Sequence, residues 1–196
     1  MTQIERGEAL KKILDHLGDD GCLISPLGYI TRDLFSLTPN LRERCFYCMG
    51  SMGSVVPLAL GVSLARPSIT VFAIEGDGSL LMNLGGLVTL RRYARENISL
   101  FVFDNRCYES TGGQPSQPNG FNIEDVCRAT GLITYVATQS RQIEHFFEQR
   151  ETVTGPSVLV VKVGLSPPTE RVNEEPQMIS DRFANWLSAA QNYKIT

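Results

Sequence analysis

The chain of 196 residues lacks any apolar run approaching the roughly 20 residues that a membrane span requires. It also lacks a basic excess: 18 Lys and Arg stand against 21 Asp and Glu, a net charge of −3. Nothing in that balance marks a nucleic-acid or anionic-membrane surface. There is no internal repeat and no low-complexity tract, which excludes collagen-like, coiled-coil and disordered chains. Histidine is scarce, and neither His16 nor His145 has a metal-type neighbour at ligating spacing; both fall on exposed helical patterns. The five cysteines are odd in number and irregular in spacing. They make neither a disulfide framework nor the cluster an iron–sulfur centre needs, so free thiols in a cytoplasmic chain are expected. Cys45 and Cys48 have C-x-x-C spacing, but in a strand rather than at a helix start, so packing is the expected role. The opening MTQIERGEALKK is charged and has no apolar core, so no signal peptide is expected. A G-x-G-x-x-G fingerprint after the first strand is missing, which argues against a nicotinamide-binding domain.

What is present is a chain with 42% hydrophobic residues, ample for the core of one domain. Periodicity predicts helices over 4–17, 28–37, 55–65, 80–95, 123–130 and 143–150. The helix over 80–95 should be interrupted at Gly85-Gly86. Short apolar runs predict strands over 22–25, 45–49, 69–74, 98–103, 132–137 and 157–163. The stretch 104–120 is rich in Gly, Pro, Ser and Asn and reads as a long, mobile functional loop. After an irregular, Pro-rich 165–176, a C-terminal helical extension at about 177–192 carries Ile179, Phe183, Trp186 and Leu187 on one stripe. That stripe packs either on the domain or on a partner. Strands apolar on both faces, alternating with helices, predict an α/β fold: a three-layer, doubly wound parallel sheet with helices on both faces. The whole of 1–196 is one domain on this reading.

Ligands of such sheets bind beyond the carboxyl ends of the strands. Two strand ends stand out there. The run TVFAIE leads into Gly76, Asp77, Gly78 and Ser79; SLFVF leads into Asp104 and Asn105. The helix between them makes the two strands parallel and often adjacent. Adjacent strands lie about 4.8 Å apart. Asp77 and Asn105 can therefore share one hard cation, and a carboxylate with an amide oxygen suits Mg²⁺ completed by phosphate and water. The flanking glycines allow close backbone approach, and the helix after Ser79 favours an anion. The bland alternative is a tight Asp-Gly turn with a helix cap and no ligand.

These residues, with Leu60-Gly61, Pro67, Phe72 and Ile74 in register before them, resemble the signature of thiamine diphosphate-dependent enzymes. GDGSLLMNLGGLVTL and DNRCYESTGGQP, together with SPLGYITRDLF, resemble the sulfopyruvate and phosphonopyruvate decarboxylases. The resemblance covers roughly 20–165. It implies a thiamine diphosphate-binding fold, with Asp77 and Asn105 as Mg²⁺ ligands and the carbonyl of Cys107 as a third. It implies that Gly76, Gly78, Ser79 and Tyr108 meet the cofactor. Gly50, Ser51 and Met52 would lie under its pyrimidine, Met52 enforcing the bent form and the Gly50 carbonyl accepting from the 4′-amino group. Arg106, Ser110, Thr111 and Gln114 are the candidates for contact with an anionic substrate, a 2-oxo acid; Arg106 could equally point to solvent.

Family members carry two such domains, and this chain has length for the diphosphate-binding half. The other half supplies a Glu to the pyrimidine ring, which Glu75, expected at a strand end facing the diphosphate, does not replace. The implication is a separate pyrimidine-binding subunit in a hetero-oligomer. Two other readings stay open. One is the beta subunit of a 2-oxo acid:ferredoxin oxidoreductase, which TGGQPS also resembles. The other is a non-catalytic, cofactor-binding regulatory domain.

Overall fold

The computed structural model describes residues 3–167 and 169–190. In chain order these form α1 (Arg6–Leu14), β1 (Cys22–Ser25), α2 (Tyr29–Leu37), β2 (Cys45–Tyr47), α3 (Val55–Ala65) and β3 (Val71–Gly76). Then come α4 (Asp77–Leu80), α5 (Gly85–Tyr93), β4 (Ile98–Asp104), β5 (Cys107–Tyr108) and β6 (Gln114–Pro115). The chain closes with α6 (Ile123–Ala129), β7 (Ile133–Ala137), α7 (Arg141–Arg150), β8 (Ser157–Lys162) and α8 (Pro176–Ala189). No helix among the described residues is long and apolar enough to cross a membrane.

Six strands form one parallel sheet in the order β2-β1-β3-β4-β8-β7. Alternation sorts their side chains into two cores. Val71, Ala73, Leu100, Val102, Val158 and Val160 pack under α3, α5 and α6. Phe72, Ile74, Phe101, Phe103, Leu159 and Val161 pack on the opposite side with α1, α2 and α7. All of these are buried, which explains why the strands read as unbroken apolar runs. The expected three-layer α/β architecture is what is found. Cys45 and Cys48 lie in different cores and are free thiols. Burial pushes the Cys48 thiol up to about 12, as suits a packed rather than a reactive group.

Several boundaries differ from the sequence reading, each for a local reason. α1 begins at Arg6 because the Glu5 carboxylate caps it, accepting from the Gly7 and Glu8 amides at 3.0 and 2.8 Å. Ile4 instead bridges to Val163 beside the sheet. β3 runs on to Gly76, which pairs with Phe103. The helical stretch expected over 80–95 is broken by a 3-10 turn at Leu81–Asn83 rather than at Gly85-Gly86, and Gly85 opens α5. The stretch 104–120 is no open loop: β5 and β6 pair as a small antiparallel ribbon around a 3-10 turn at Glu109–Thr111.

α8 settles on the domain itself. Phe183 is buried against Phe46 of β2, ring centroids 5.5 Å apart, so the helix covers the sheet's outer edge. The expected end at 191–192 lies outside the described residues. The strap before α8 is pinned by Glu174, which accepts from Arg182 at 2.8 and 3.0 Å and from Arg42 at 3.2 Å. The Arg182 hydrogen bonds hold the Glu174 carboxyl below its usual range. A depressed carboxyl stabilises the fold above the ordinary carboxylate range of about 4.3 and loses that contribution as pH falls. Glu174→Gln should therefore cost about 1–2 kcal/mol at neutral pH. The gap to the unaltered chain should close in acid, as read by thermal unfolding across pH.

Candidate functional site

The sheet changes winding direction between β1 and β3, since β2 lies on one side of β1 and every later strand on the other. Such a switch leaves a crevice at the carboxyl ends of those strands. A cavity of about 130 Å³ opens there. Its walls are 26–30 after β1, 76–79 at the end of β3, and Asn105 with 107–111 after β4; Arg6, Met52, Phe103 and Val163 complete them.

β3 and β4 are adjacent and parallel, with Gly76 opposite Phe103, so Asp77 and Asn105 leave the same edge together. Asp77 is only 2% exposed. Burial raises its carboxyl above the usual range, and hydrogen bonds from Ser116 and Gln117 pull against that. Ser116 Oγ and Gln117 Nε2 (2.9 Å) both donate to Asp77 Oδ2, so a cation would take the other oxygen. Gln117 also donates to Asp104 Oδ1 at 2.8 Å and so bridges two carboxylates; Lys162 compensates Asp104 at 2.7 Å. Asn105 has its oxygen toward the Cys107 amide (3.1 Å) and its nitrogen toward Glu109 (2.9 Å).

The 50–53 segment is tied to this edge. The Gly53 amide donates to Ser79 Oγ at 2.9 Å, and Asn83 Nδ2 donates to the Gly53 carbonyl at 2.9 Å. Gly53 has φ +78°, which favours glycine. Gly78 is required for another reason: a Cβ there would stand 2.4 Å from the Tyr108 ring.

Of the residues singled out in the sequence, the cavity gathers Met52, Gly76, Asp77, Gly78, Ser79, Asn105, Cys107, Tyr108, Ser110 and Thr111. Gly50, Ser51, Arg106 and Gln114 are not among its lining residues. Arg106 takes φ +62°, and its guanidinium donates to the carbonyls of Phe121 (3.0 Å) and Pro118 (3.1 Å), closing the ribbon. Gln114 donates to the Thr111 carbonyl at 3.2 Å. The helix expected behind Ser79 is a single turn, α4, so its dipole is small. Glu75 also departs from expectation. It shares the alternation of Val71 and Ala73, is wholly buried, and does not line the cavity. Desolvation raises its carboxyl to about 7.

Sequence reasoning missed Arg6, Tyr29, Glu109 and Gln117. Tyr29 could have been found from its place just after β1. Gln117 and Glu109 sit in the stretch treated as open loop, and Arg6 carried no signal in the helical pattern.

The donor set fits the expected cation. Among the described residues no three His, Cys, Asp or Glu side chains gather as a metal cluster. The edge offers instead one desolvated carboxylate, one oriented amide oxygen and nearby backbone, the oxygen chemistry of a hard ion that keeps water or phosphate.

Sheet order, switch-point cavity and paired strand ends define a doubly wound α/β domain with its site at the carboxyl edge of the sheet. Solved structures agree on the fold. A thiamin diphosphate-dependent enzyme from Mycobacterium smegmatis matches with TM-score 0.73 and 23% identity, over 84% of this chain and 32% of that one. The thiamine diphosphate-dependent 4-hydroxybenzoylformate decarboxylase of Rhodococcus jostii RHA1 matches with TM-score 0.72 and 14% identity, over 85% and 34%. Residues 28–161 match the family model "Thiamine pyrophosphate enzyme, C-terminal TPP binding domain", and the chain belongs to that family. Among relatives, the sulfopyruvate decarboxylase subunit beta of Methanocaldococcus jannaschii is 30% identical over 91% of this chain and 95% of its own length. The phosphonopyruvate decarboxylase of Streptomyces viridochromogenes is 31% identical over 92% of this chain but only 45% of its own length.

Proposed function

We propose that this chain is the diphosphate-binding subunit of a thiamine diphosphate- and Mg²⁺-dependent decarboxylase of a 3-substituted pyruvate, sulfopyruvate or phosphonopyruvate. The observation that carries the reading is the edge itself: Asp77 and Asn105 leave adjacent parallel strands into one cavity. Relatives named for these two decarboxylations support the substrate class.

Asp77, the Asn105 oxygen and the Cys107 carbonyl would hold Mg²⁺. Gly76 and Gly78 would let the diphosphate approach the backbone, with Tyr108 and Ser79 beside it. The chemistry supplied on binding is carbanion stabilisation at the keto carbon of a 2-oxo acid as CO₂ departs. Ser116 and Gln117 fix one Asp77 oxygen and aim the other. Met52 presents an apolar side chain to the cavity as the support for a bent cofactor, and Gly50 and Ser51 lead into it. Ser110 offers a hydroxyl from the wall to an anionic substituent, whereas the Thr111 hydroxyl donates within the ribbon, to the Tyr108 carbonyl at 3.3 Å. Arg106 and Gln114 hold the ribbon that carries them.

A separate pyrimidine-binding subunit completes the site on this reading. Three observations support it. The Methanocaldococcus relative, matched over nearly its whole length, is named as one subunit of its enzyme. Glu75 is buried outside the cavity lining and gives this chain no carboxylate for a pyrimidine ring. Met82, an apolar side chain 58% exposed, lies beside Gly53 at the cofactor edge.

The test is native mass spectrometry of the tagged chain, drawn from its own cells with Mg²⁺ present, followed by CO₂ release from sulfopyruvate, phosphonopyruvate and pyruvate. A second chain of similar size, bound thiamine diphosphate and turnover of one of the first two acids are expected. Turnover at an ordinary enzymatic rate by the lone chain would remove the split-site reading. Bound iron would favour the ferredoxin oxidoreductase instead. A lone chain or homo-oligomer without cofactor would favour a regulatory domain.

A further inference from the structure

Glu109 accepts three hydrogen bonds in the cavity wall. Its Oε2 accepts from Arg6 Nη1 at 2.6 Å and from Asn105 Nδ2 at 2.9 Å, and its Oε1 accepts from the Ser166 amide at 3.0 Å. Arg6 is 1% exposed and is fixed a second time by Asp33 Oδ2 at 2.6 Å; Thr169 Oγ1 in turn donates to Asp33 Oδ1 at 2.8 Å. The Glu109 carboxylate is therefore held in place independently of Asn105.

A side-chain amide has two ends of one shape and opposite polarity, and only the oxygen can bind a hard cation. An ionised carboxylate only accepts, so Glu109 can face only the nitrogen of Asn105. The oxygen is then turned toward the Cys107 amide, which donates to it at 3.1 Å. An amide at this position spares the edge a further charge beside Asp77 and Asp104, which Gln117 already bridges. That choice leaves an orientation to be fixed.

We infer that Glu109 is a positioning residue: it locks the Asn105 amide with its oxygen toward the cation, and Arg6 with Asp33 locks Glu109. The inference rests on the Mg²⁺ reading above. It predicts a dependence on the amide at 105 that a merely structural ion pair does not. Glu109→Gln removes the acceptor-only partner and should weaken Mn²⁺ binding about tenfold, since one charge-assisted hydrogen bond is at stake. In an Asn105→Asp background most of that loss should vanish. A carboxylate presents oxygen at both ends, so no orientation is left for Glu109 to fix, and only the weaker effect of one lost charge remains.

The experiment uses the assembly as purified from its own cells, with thiamine diphosphate present and Mn²⁺ as the probe. Free Mn²⁺ is read by electron paramagnetic resonance, with thermal unfolding in the absence of metal as the check on folding. A loss several-fold larger where Asn105 is retained than in the Asn105→Asp background supports the inference. Equal losses in both, or no change in either, overturn it. If the unaltered assembly takes up no Mn²⁺ with thiamine diphosphate, the Mg²⁺ reading itself fails, and this inference with it. Should Glu109→Gln not fold, Glu109→Asp keeps the counter-charge for Arg6 but draws the oxygen back from Asn105. It should weaken Mn²⁺ binding where Asn105 is retained and not in the Asn105→Asp background; equal losses overturn the inference.

Discussion

Asp77→Ala should abolish Mg²⁺-dependent retention of thiamine diphosphate while leaving the fold intact. The carboxylate is 2% exposed, and burial raises its proton affinity, so its charge is a burden on the folded state without a cation. Removing it costs Ser116 and Gln117 one acceptor but relieves that desolvation and the repulsion from Asp104. The melting temperature without metal should thus hold or rise. Cofactor affinity should move the other way. Loss of a partner that merely orients a metal ligand costs about 10–100-fold in affinity, and loss of the only carboxylate ligand should exceed that upper figure. Fluorescence titration with thiamine diphosphate at fixed Mg²⁺, set beside a thermal melt, separates the two effects. Cofactor binding that survives the substitution would overturn the metal assignment, whatever the melt shows.

The part of this site that was legible in the sequence is the part carried by short-range pattern. Two apolar runs separated by a helix demand a crossover, and a crossover places Asp77 and Asn105 at one edge before any coordinate is known. Strict alternation would also have placed Glu75 with Val71 and Ala73, away from the cavity; reading it only as the strand end beside Gly76 hid this. The stretch 104–120 misled for a different reason. Its Gly, Pro, Ser and Asn content is that of a loop, but its order comes from Ser116 and Gln117 bonding back to Asp77. The Arg106 guanidinium, expected at an anion, is used on the carbonyls of that same segment. Contacts of this range leave no periodic trace. Arg6 shows the limit most clearly. It opens an amphipathic helix where a charged residue looks solvated, yet its partners Asp33 and Glu109 come from α2 and from the ribbon after β4.

Arg6→Met should be the most damaging single change to stability outside the apolar core. The guanidinium is 1% exposed and makes ion pairs of 2.6 Å with both Asp33 and Glu109. Methionine fills much of the same volume beside the Tyr29 ring, over which the guanidinium lies at 5.7 Å from the centroid, so what chiefly changes is charge. Two carboxylates of low exposure are left without their cation, and breaking a buried pair from one side typically costs about 3–5 kcal/mol. At about 2–4 °C per kcal/mol for a chain of this size, the melt should fall by roughly 6–20 °C. Replacing all three together, Arg6→Met with Asp33→Asn and Glu109→Gln, removes the uncompensated charge and should recover most of the loss. A fall of under about 1 kcal/mol for Arg6→Met alone would mean that solvent reaches this pair and that it does not brace the cavity wall. If it does brace the wall, the single variant must also loosen the Asn105 amide, and Mn²⁺ binding should weaken at temperatures well below the melt. Stability and metal affinity would then fall together, from one side chain distant from Asn105 in sequence but joined to it through Glu109.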